Sequence, residues 1–179
     1  MNFECNMMRS ILLLCAFMMP FLAQAKKDQA TDLFVVQGRI FEIDILSEED
    51  MPASEVQVVI YQDKDIYVAF YTRKNGDYEF QLPLGHEYEI WFGGSTFVNK
   101  KVYVDSRNVK PGKGQHEIAL DMGLFRPMDN YTFELLDKPI VQFVWDTEFE
   151  QFLPDLEYTD GVYRELEKIF RKIRKSGGK

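Results

Sequence analysis

VQVVIYQDKDIYVAFYTRKNGDYEFQLPLGHEYEIWF, residues 56–92, decides the fold of this chain, because its apolar residues recur every second position. Val56, Val58 and Ile60 alternate with Gln57, Val59 and Tyr61, and Ile66, Val68 and Phe70 with Tyr67, Ala69 and Tyr71. Tyr78, Phe80 and Leu82 then flank Glu79 and Gln81, while Tyr88, Ile90 and Phe92 flank Glu89 and Trp91. A period of two places one set of side chains on a core face and the other on an outer face, so these runs are half-buried strands. Working outward, Val98, Val102 and Val104 share a phase, as do Ile118, Leu120 and Met122, and the pattern holds from about Phe34 to Phe125. Lys74-Asn75-Gly76-Asp77 reads as a tight type I′ hairpin, which needs positive φ at both central residues. Pro83 with Gly85, Gly93-Gly94 and the segment 111–114 punctuate the rest, and 47–50 reads as a solvated acidic loop. About seven short strands at this spacing predict a mainly β fold, an antiparallel sandwich laid out as a meander of hairpins.

After Phe125 the pattern changes. Pro139 to Trp145 reads as one more strand, with the proline at its start. From about Thr159 to Lys175 the spacing becomes helical. Val162, Leu166, Ile169, Phe170 and Ile173 form one face, and Lys168, Arg171, Lys172 and Lys175 the opposite one. Thr159 or Asp160 is the expected cap and Gly177-Gly178 the stop. A helix of this length is marginal alone in water, so its apolar face needs a surface to dock on.

The first residues read as a leader rather than as part of the fold. Arg9 precedes the apolar run Ile11 to Leu22, and Ala23-Gln24-Ala25 stands ahead of Lys26, the order of a secretory signal peptide at 1–25. The run falls short of the about 20 apolar residues that span a bilayer. Both cysteines, Cys5 and Cys15, lie within residues 1–25, so a chain processed there has no thiol for a disulfide, a metal or nucleophilic attack. The last twelve residues hold six cations and no acid, which leaves −14 of the overall −8 charge on residues 26–167. Such a body repels polyanions, and no nucleic acid is expected as a partner.

The order Gly38-Arg39-Ile40, Pro52 with Val56 and Val58, Thr72 with Asn75-Gly76-Asp77-Tyr78-Glu79-Phe80, and Leu82-Pro83-Leu84-Gly85 with Tyr88-Glu89-Ile90 resembles the carboxypeptidase regulatory-like domain, a transthyretin-like (prealbumin-like) β-sandwich. Lys100 to Asp105 continues the resemblance, which spans about residues 34–105. The Pro52-to-Val56 link is shorter than the family's, and an acidic insertion precedes it. The resemblance implies a sandwich at 33–125 followed by a C-terminal extension at 126–179. It also implies an accessory binding role without chemistry, in the envelope of a gram-negative cell.

The residues offer few alternatives. His86 and Glu89 match a His-x-x-Glu zinc pair with His116 as a third ligand, but positions three apart on a strand face opposite ways. Asp63-Lys64-Asp65 and Glu48-Glu49-Asp50 lack the spacing of a calcium loop. Gly93-Gly94-Ser95-Thr96 is not a nucleophile elbow. No catalytic residue, metal or cofactor is therefore expected. Tyr61, Tyr67, Tyr71, Trp91 and Tyr103 occupy the phase opposite the aliphatic core residues, where water-facing polar groups are usual. Either they bind a partner, or the C-terminal extension covers them, and the second is the preferred expectation. The function expected is an exported interaction module whose partner is another envelope protein or surface component. Peripheral membrane contact through the basic helix face is the alternative, and a metal-dependent hydrolase is remote. N-terminal sequencing of the natural protein should begin at Lys26 in material from outside the cytoplasm, and intact residues 1–25 in cytosolic protein would contradict it.

Overall fold

Most of the period-two runs become strands of two facing sheets. The structure, a computed structural model, describes residues 32–110 and 116–177, so the leader at 1–25 and the turn at 111–114 lie outside the described residues. In chain order the strands are β1 (Leu33–Ile43), β2 (Asp50–Pro52), β3 (Gln57–Gln62), β4 (Asp65–Tyr71), β5 (Asp77–Pro83), β6 (Glu87–Gly93), β7 (Lys100–Asp105), β8 (His116–Ala119) and β9 (Met122–Leu124). A single 3-10 turn (Glu134–Asp137) leads to β10 (Val141–Asp146), β11 (Gln151–Pro154) and helix α1 (Leu156–Ser176). The smaller sheet is organised on β1, which pairs antiparallel with β5 and β2 and parallel with β8 and β9. The larger sheet has the order β11-β10-β7-β6-β3-β4. Between them lie Phe34, Val36, Ile40, Val58, Ile60, Leu82, Ile90, Phe92, Val102 and Val104, all inaccessible to solvent. The expected sandwich with a C-terminal helix is the fold observed.

Its wiring differs from a meander. Asn75-Gly76 does not close a hairpin: β4 belongs to the larger sheet and β5 to the smaller, so the turn carries the chain across the sandwich. Gly76 has φ 82°, but Asn75 is not in the positive-φ region that type I′ demands of both residues. The two-residue hairpin lies one connection earlier, at Asp63-Lys64 between β3 and β4, where φ is 50° and 80°. The sequence offers Asp63 and Asp65 only as carboxylates without calcium-loop spacing, and the structure places Asp63 in this turn. The chain crosses again from β5 to β6, and strands that return to the opposite sheet arrive parallel as readily as antiparallel. Hence β8 and β9 run parallel to β1, and β10 parallel to β7.

Of the expected inward set, Phe70 and Val68 keep the phase of Val58 and Ile60, and Ile66 is corrected. β4 is the last strand of its sheet and is exposed along almost its whole length. The register with β3 slips at Ile60/Tyr61, so Tyr67 has no direct partner and Ile66 falls opposite Tyr61. A bulge of this kind adds one residue and inverts the phase beyond it.

Nor is the sandwich finished at residue 125. β10 and β11 extend the larger sheet, and Phe152 of β11 closes one end of the core against Phe34 at 5.0 Å between ring centroids. Helix α1 covers the flank. Val162, Leu166, Phe170 and Ile173 are buried, and Phe170 meets Phe125 edge-on at 5.0 Å. Asp155, not Thr159 or Asp160, is the cap, its carboxylate accepting the Tyr158 amide at 3.0 Å. Thr159 is inside the first turn, and Gly177 ends the helix in the left-handed region as expected. Tyr158 donates to the Pro139 carbonyl at 2.6 Å, and Arg174 pairs with Glu48 at 3.1 Å, pinning both ends.

Two substitutions check this account. A Cβ on Gly76 would stand 2.2 Å from the Ile40 carbonyl oxygen in addition to the positive φ, so Gly76→Val should destabilise by on the order of 1–3 kcal/mol or more in urea unfolding. Leu166→Asp, which empties a core site and buries a carboxylate, should destabilise by at least about 2–5 kcal/mol. Unfolding midpoints equal to the wild-type protein would reject the crossing turn and the docked helix respectively.

Candidate functional site

On strands whose inner residues form the core, the alternate residues must face out, and here the outer face of the larger sheet is aromatic at its centre. Trp91 of β6 lies opposite Val59 of β3 on one side and Lys101 of β7 on the other. One pair further along, Glu89 separates Tyr61 from Tyr103. The Tyr61 and Trp91 rings are 5.4 Å apart with a 49° tilt. Lys101 places its ammonium 4.2 Å from the Trp91 ring centroid, a cation–π contact, and donates to the Asp137 carbonyl at 2.9 Å.

The polar tips of this patch are tied down within the sheet. Trp91 Nε1 donates to Glu89 Oε1 and the Tyr103 hydroxyl to Glu87 Oε1. Burial and the Glu87 bond both push the Tyr103 phenol well above its ordinary value. Arg107 bridges Glu87 at 2.9 Å and Asp105 at 2.7 Å, and its guanidinium holds the Asp105 carboxyl below the usual carboxylate range. The result is a set of rings fixed in position with half-buried bodies. Such surfaces lose little side-chain entropy on binding, which is why Tyr and Trp recur at protein interfaces.

Of the five aromatic residues singled out, Tyr61, Trp91 and Tyr103 therefore form one patch. Tyr71 shares their face, opposite Gln57 on the edge strand β4, and is exposed. Tyr67 does not belong to it: it sits at the bulge, with no direct partner on β3. The extension does not cover the patch. Its helix rests against β10 and the 3-10 turn, because that flank presents Phe125, Leu136 and Ile140 and would otherwise leave them wet. The preferred expectation from the sequence is corrected on this point.

The basic helix face is partly neutralised. Lys168 pairs with Glu165 at 2.6 Å and Arg171 with Glu167 at 3.0 Å, while Lys172 and Lys175 are exposed without an ion pair among the described residues. The histidines are held apart by different elements. His86 Nδ1 lies 2.6 Å from Asp63 Oδ2, and that contact, with the Glu87 amide, holds the Asp63 carboxyl below its ordinary range. His116 packs on Trp145 at 4.4 Å. Among the described residues no group of three or more His, Cys, Asp or Glu could hold a metal ion. Ser106 is buried and bonds to the His86 backbone through both its donor and its acceptor. Glu48 is engaged with Arg174, and Asp44 caps the loop amides of Leu46 and Ser47.

Sequence reasoning missed Lys100. It lies opposite Phe92 and in phase with Val102 and Val104, so strand alternation turns it into the core while Lys101 points out. Its Nζ donates to the Gly123 carbonyl and stands 5.2 Å from the Phe125 ring, bonding the larger sheet to β9. Burial lowers its pKa to about 8.

No family model matches the chain, and no curated protein does. Solved structures similar to it include 3-chlorocatechol 1,2-dioxygenase from Rhodococcus opacus, at 12% identity over 56% of this chain and 62% of that one with a TM-score of 0.40. A shaft pilin of Lactobacillus rhamnosus GG matches at 11% identity over 55% of this chain and 52% of that one, TM-score 0.35. 5-Hydroxyisourate hydrolase from Klebsiella pneumoniae matches at 14% identity over 51% of this chain and 98% of that one, TM-score 0.31. The chain spans less than two thirds of the length of the dioxygenases. The two sheets and the C-terminal helix make the described residues a β-sandwich, and no residue role transfers at this distance.

Lys100 gives a pH prediction. Its folded pKa of about 8 lies below the ordinary 10.5, so the unfolded chain binds the proton more tightly and the burden on the fold is full below about pH 8. Between that value and 10.5 stability should rise with pH, by on the order of 2 kcal/mol from pH 7.5 to 9.5. Urea unfolding of Lys100→Met should lose that rise, and parallel profiles for the two proteins would show that Lys100 does not titrate there.

Proposed function

We propose that this chain is an exported, non-catalytic interaction module of a bacterial cell envelope, of the carboxypeptidase regulatory-like type, which binds another envelope protein or surface component through the outer face of its larger sheet. The observation that carries the reading is the Tyr61, Trp91 and Tyr103 patch, in which Glu89 fixes the Trp91 tip and Glu87 the Tyr103 tip, while helix α1 is docked elsewhere. The leader at 1–25 supports export, and the motif run from Gly38 to Asp105 supports the family type. The commitment of Ser106 and His86 to internal bonds supports binding without a reaction.

A second reading places the cationic helix on anionic lipid. Lys172 and Lys175 favour it, as exposed cations without acidic partners among the described residues. Each would contribute about 1 kcal/mol near an anionic surface. The apolar stripe Val162, Leu166, Phe170 and Ile173, however, is already buried in the protein, which leaves Leu156 and Tyr163 as the large apolar side chains the helix exposes.

Pull-down from the native envelope tests both. Trp91→Ala and Tyr61→Ala should weaken capture of the partner by about 2 kcal/mol each, or roughly thirtyfold, as for central aromatic anchors. Their unfolding midpoints should stay close to wild type. Undiminished capture with loss of vesicle binding in Lys172→Glu/Lys175→Glu would move the function to the helix.

A further inference from the structure

The edge of the larger sheet carries a second surface, distinct from the aromatic patch. β4 is the terminal strand, and Ile66, Tyr67, Val68 and Tyr71 are exposed by 67%, 48%, 37% and 66%. Its two faces are therefore both apolar and both open, with only Phe70 half-buried against Phe80. Free edges of this kind template pairing with another strand, and proteins usually blunt them with lysine, proline or an inward charge. β4 has none of these between Ile66 and Tyr71, and its bulge at Tyr67 leaves Val68 to Thr72 regular.

The backbone shows which groups are free. Thr72 donates its amide to the Val56 carbonyl at 2.9 Å, so Thr72, Phe70 and Val68 turn their groups toward β3. Alternation then aims the amides and carbonyls of Ala69 and Tyr71 away from the sheet.

We propose that β4 pairs antiparallel with β4 of a second copy of this chain, about a twofold axis near Ala69, joining two six-stranded sheets into one. The charges at the strand's ends select this occupant. Asp65 opens β4 and Arg73 follows it, and neither side chain forms an ion pair within the described chain. An antiparallel copy brings each Asp65 toward the Arg73 of the other chain, whereas a parallel copy would set like charge beside like. Ala69 leaves the axis free of bulk, and the twofold makes the interface self-complementary. Pairing also covers apolar residues on both faces of β4, which a ligand on the outer face alone would not.

Sedimentation equilibrium of the purified protein tests the pairing. A dimer is expected at micromolar concentration. Ala69→Pro removes an amide that bonds nothing among the described residues, at an edge where proline is tolerated, and should leave monomer. Asp65→Arg should weaken the dimer at least about tenfold by placing like charges together, and Asp65→Arg combined with Arg73→Asp should restore it. A wild-type monomer at about 100 µM, a dimer indifferent to Ala69→Pro when that variant folds, or failure of the double reversal to restore association would each overturn the proposal; so would a monomer that instead takes up an unrelated strand at β4. Trp91→Ala should leave the dimer intact, so failure of this pairing and failure of the aromatic-patch reading are separate results.

Discussion

The backbone of Gly38 to Ile40 is the point on which the sandwich closes. A Cβ at Gly38 would lie 2.0 Å from the Leu120 carbonyl oxygen, and one at Gly76 would lie 2.2 Å from that of Ile40. Ile40 donates to the Gly76 carbonyl at 2.9 Å and accepts from the Ala53 amide at 3.2 Å, while Arg39 donates its amide to the Asp121 carboxylate at 2.9 Å. Three segments, the turn before β5, the residue after β2 and the β8–β9 connection, therefore converge on three residues of β1. Contacts this close require glycine, since any side chain would displace a carbonyl that is itself bonded.

Other residues of the motif act on the same principle, joining segments by backbone groups that would otherwise be buried unpaired. Thr72 is buried and accepts the Val56 amide through its hydroxyl at 3.1 Å, stapling the end of β4 to the start of β3. Tyr88 reaches from the core to the Pro83 carbonyl at 2.6 Å, which holds the crossing from β5 to β6. Unpaired buried backbone groups are expensive, so each of these side chains has a structural reason to be what it is. The motif run is thus a description of how the sandwich is wired, and of the aromatic patch only Tyr103 is among the residues that carry it.

The aromatic patch lies on the larger sheet, which grows to six strands with β10 and β11, while the smaller one is made of β1 and its neighbours. The added strands create a flank that α1 must cover, and covering it keeps the helix off the aromatic face. Lys100 and Lys101 show the same division in miniature. Adjacent in sequence, one is a buried tie between sheets and the other a cation above a half-buried indole.

The sequence by itself determined the sandwich, the inward residues of β3, β5, β6 and β7, and the helix with its apolar stripe, because a period of two or of 3.6 is a local property that needs only neighbours along the chain. It also singled out Tyr61, Trp91 and Tyr103 by their phase. Only the tertiary structure decided that Asn75-Gly76 crosses between sheets and that Asp63-Lys64 makes the hairpin, since both are turn signals and their strands' partners are set by distant pairing. It alone decided that β4 is an edge with an inverted phase beyond Tyr67, and that α1 docks on the flank rather than on the aromatic face. Periodicity states which side of a strand is apolar. Which strand is last in its sheet, and which apolar surface another element covers, depends on contacts between residues far apart in the chain, and those exist only once the sheets have formed.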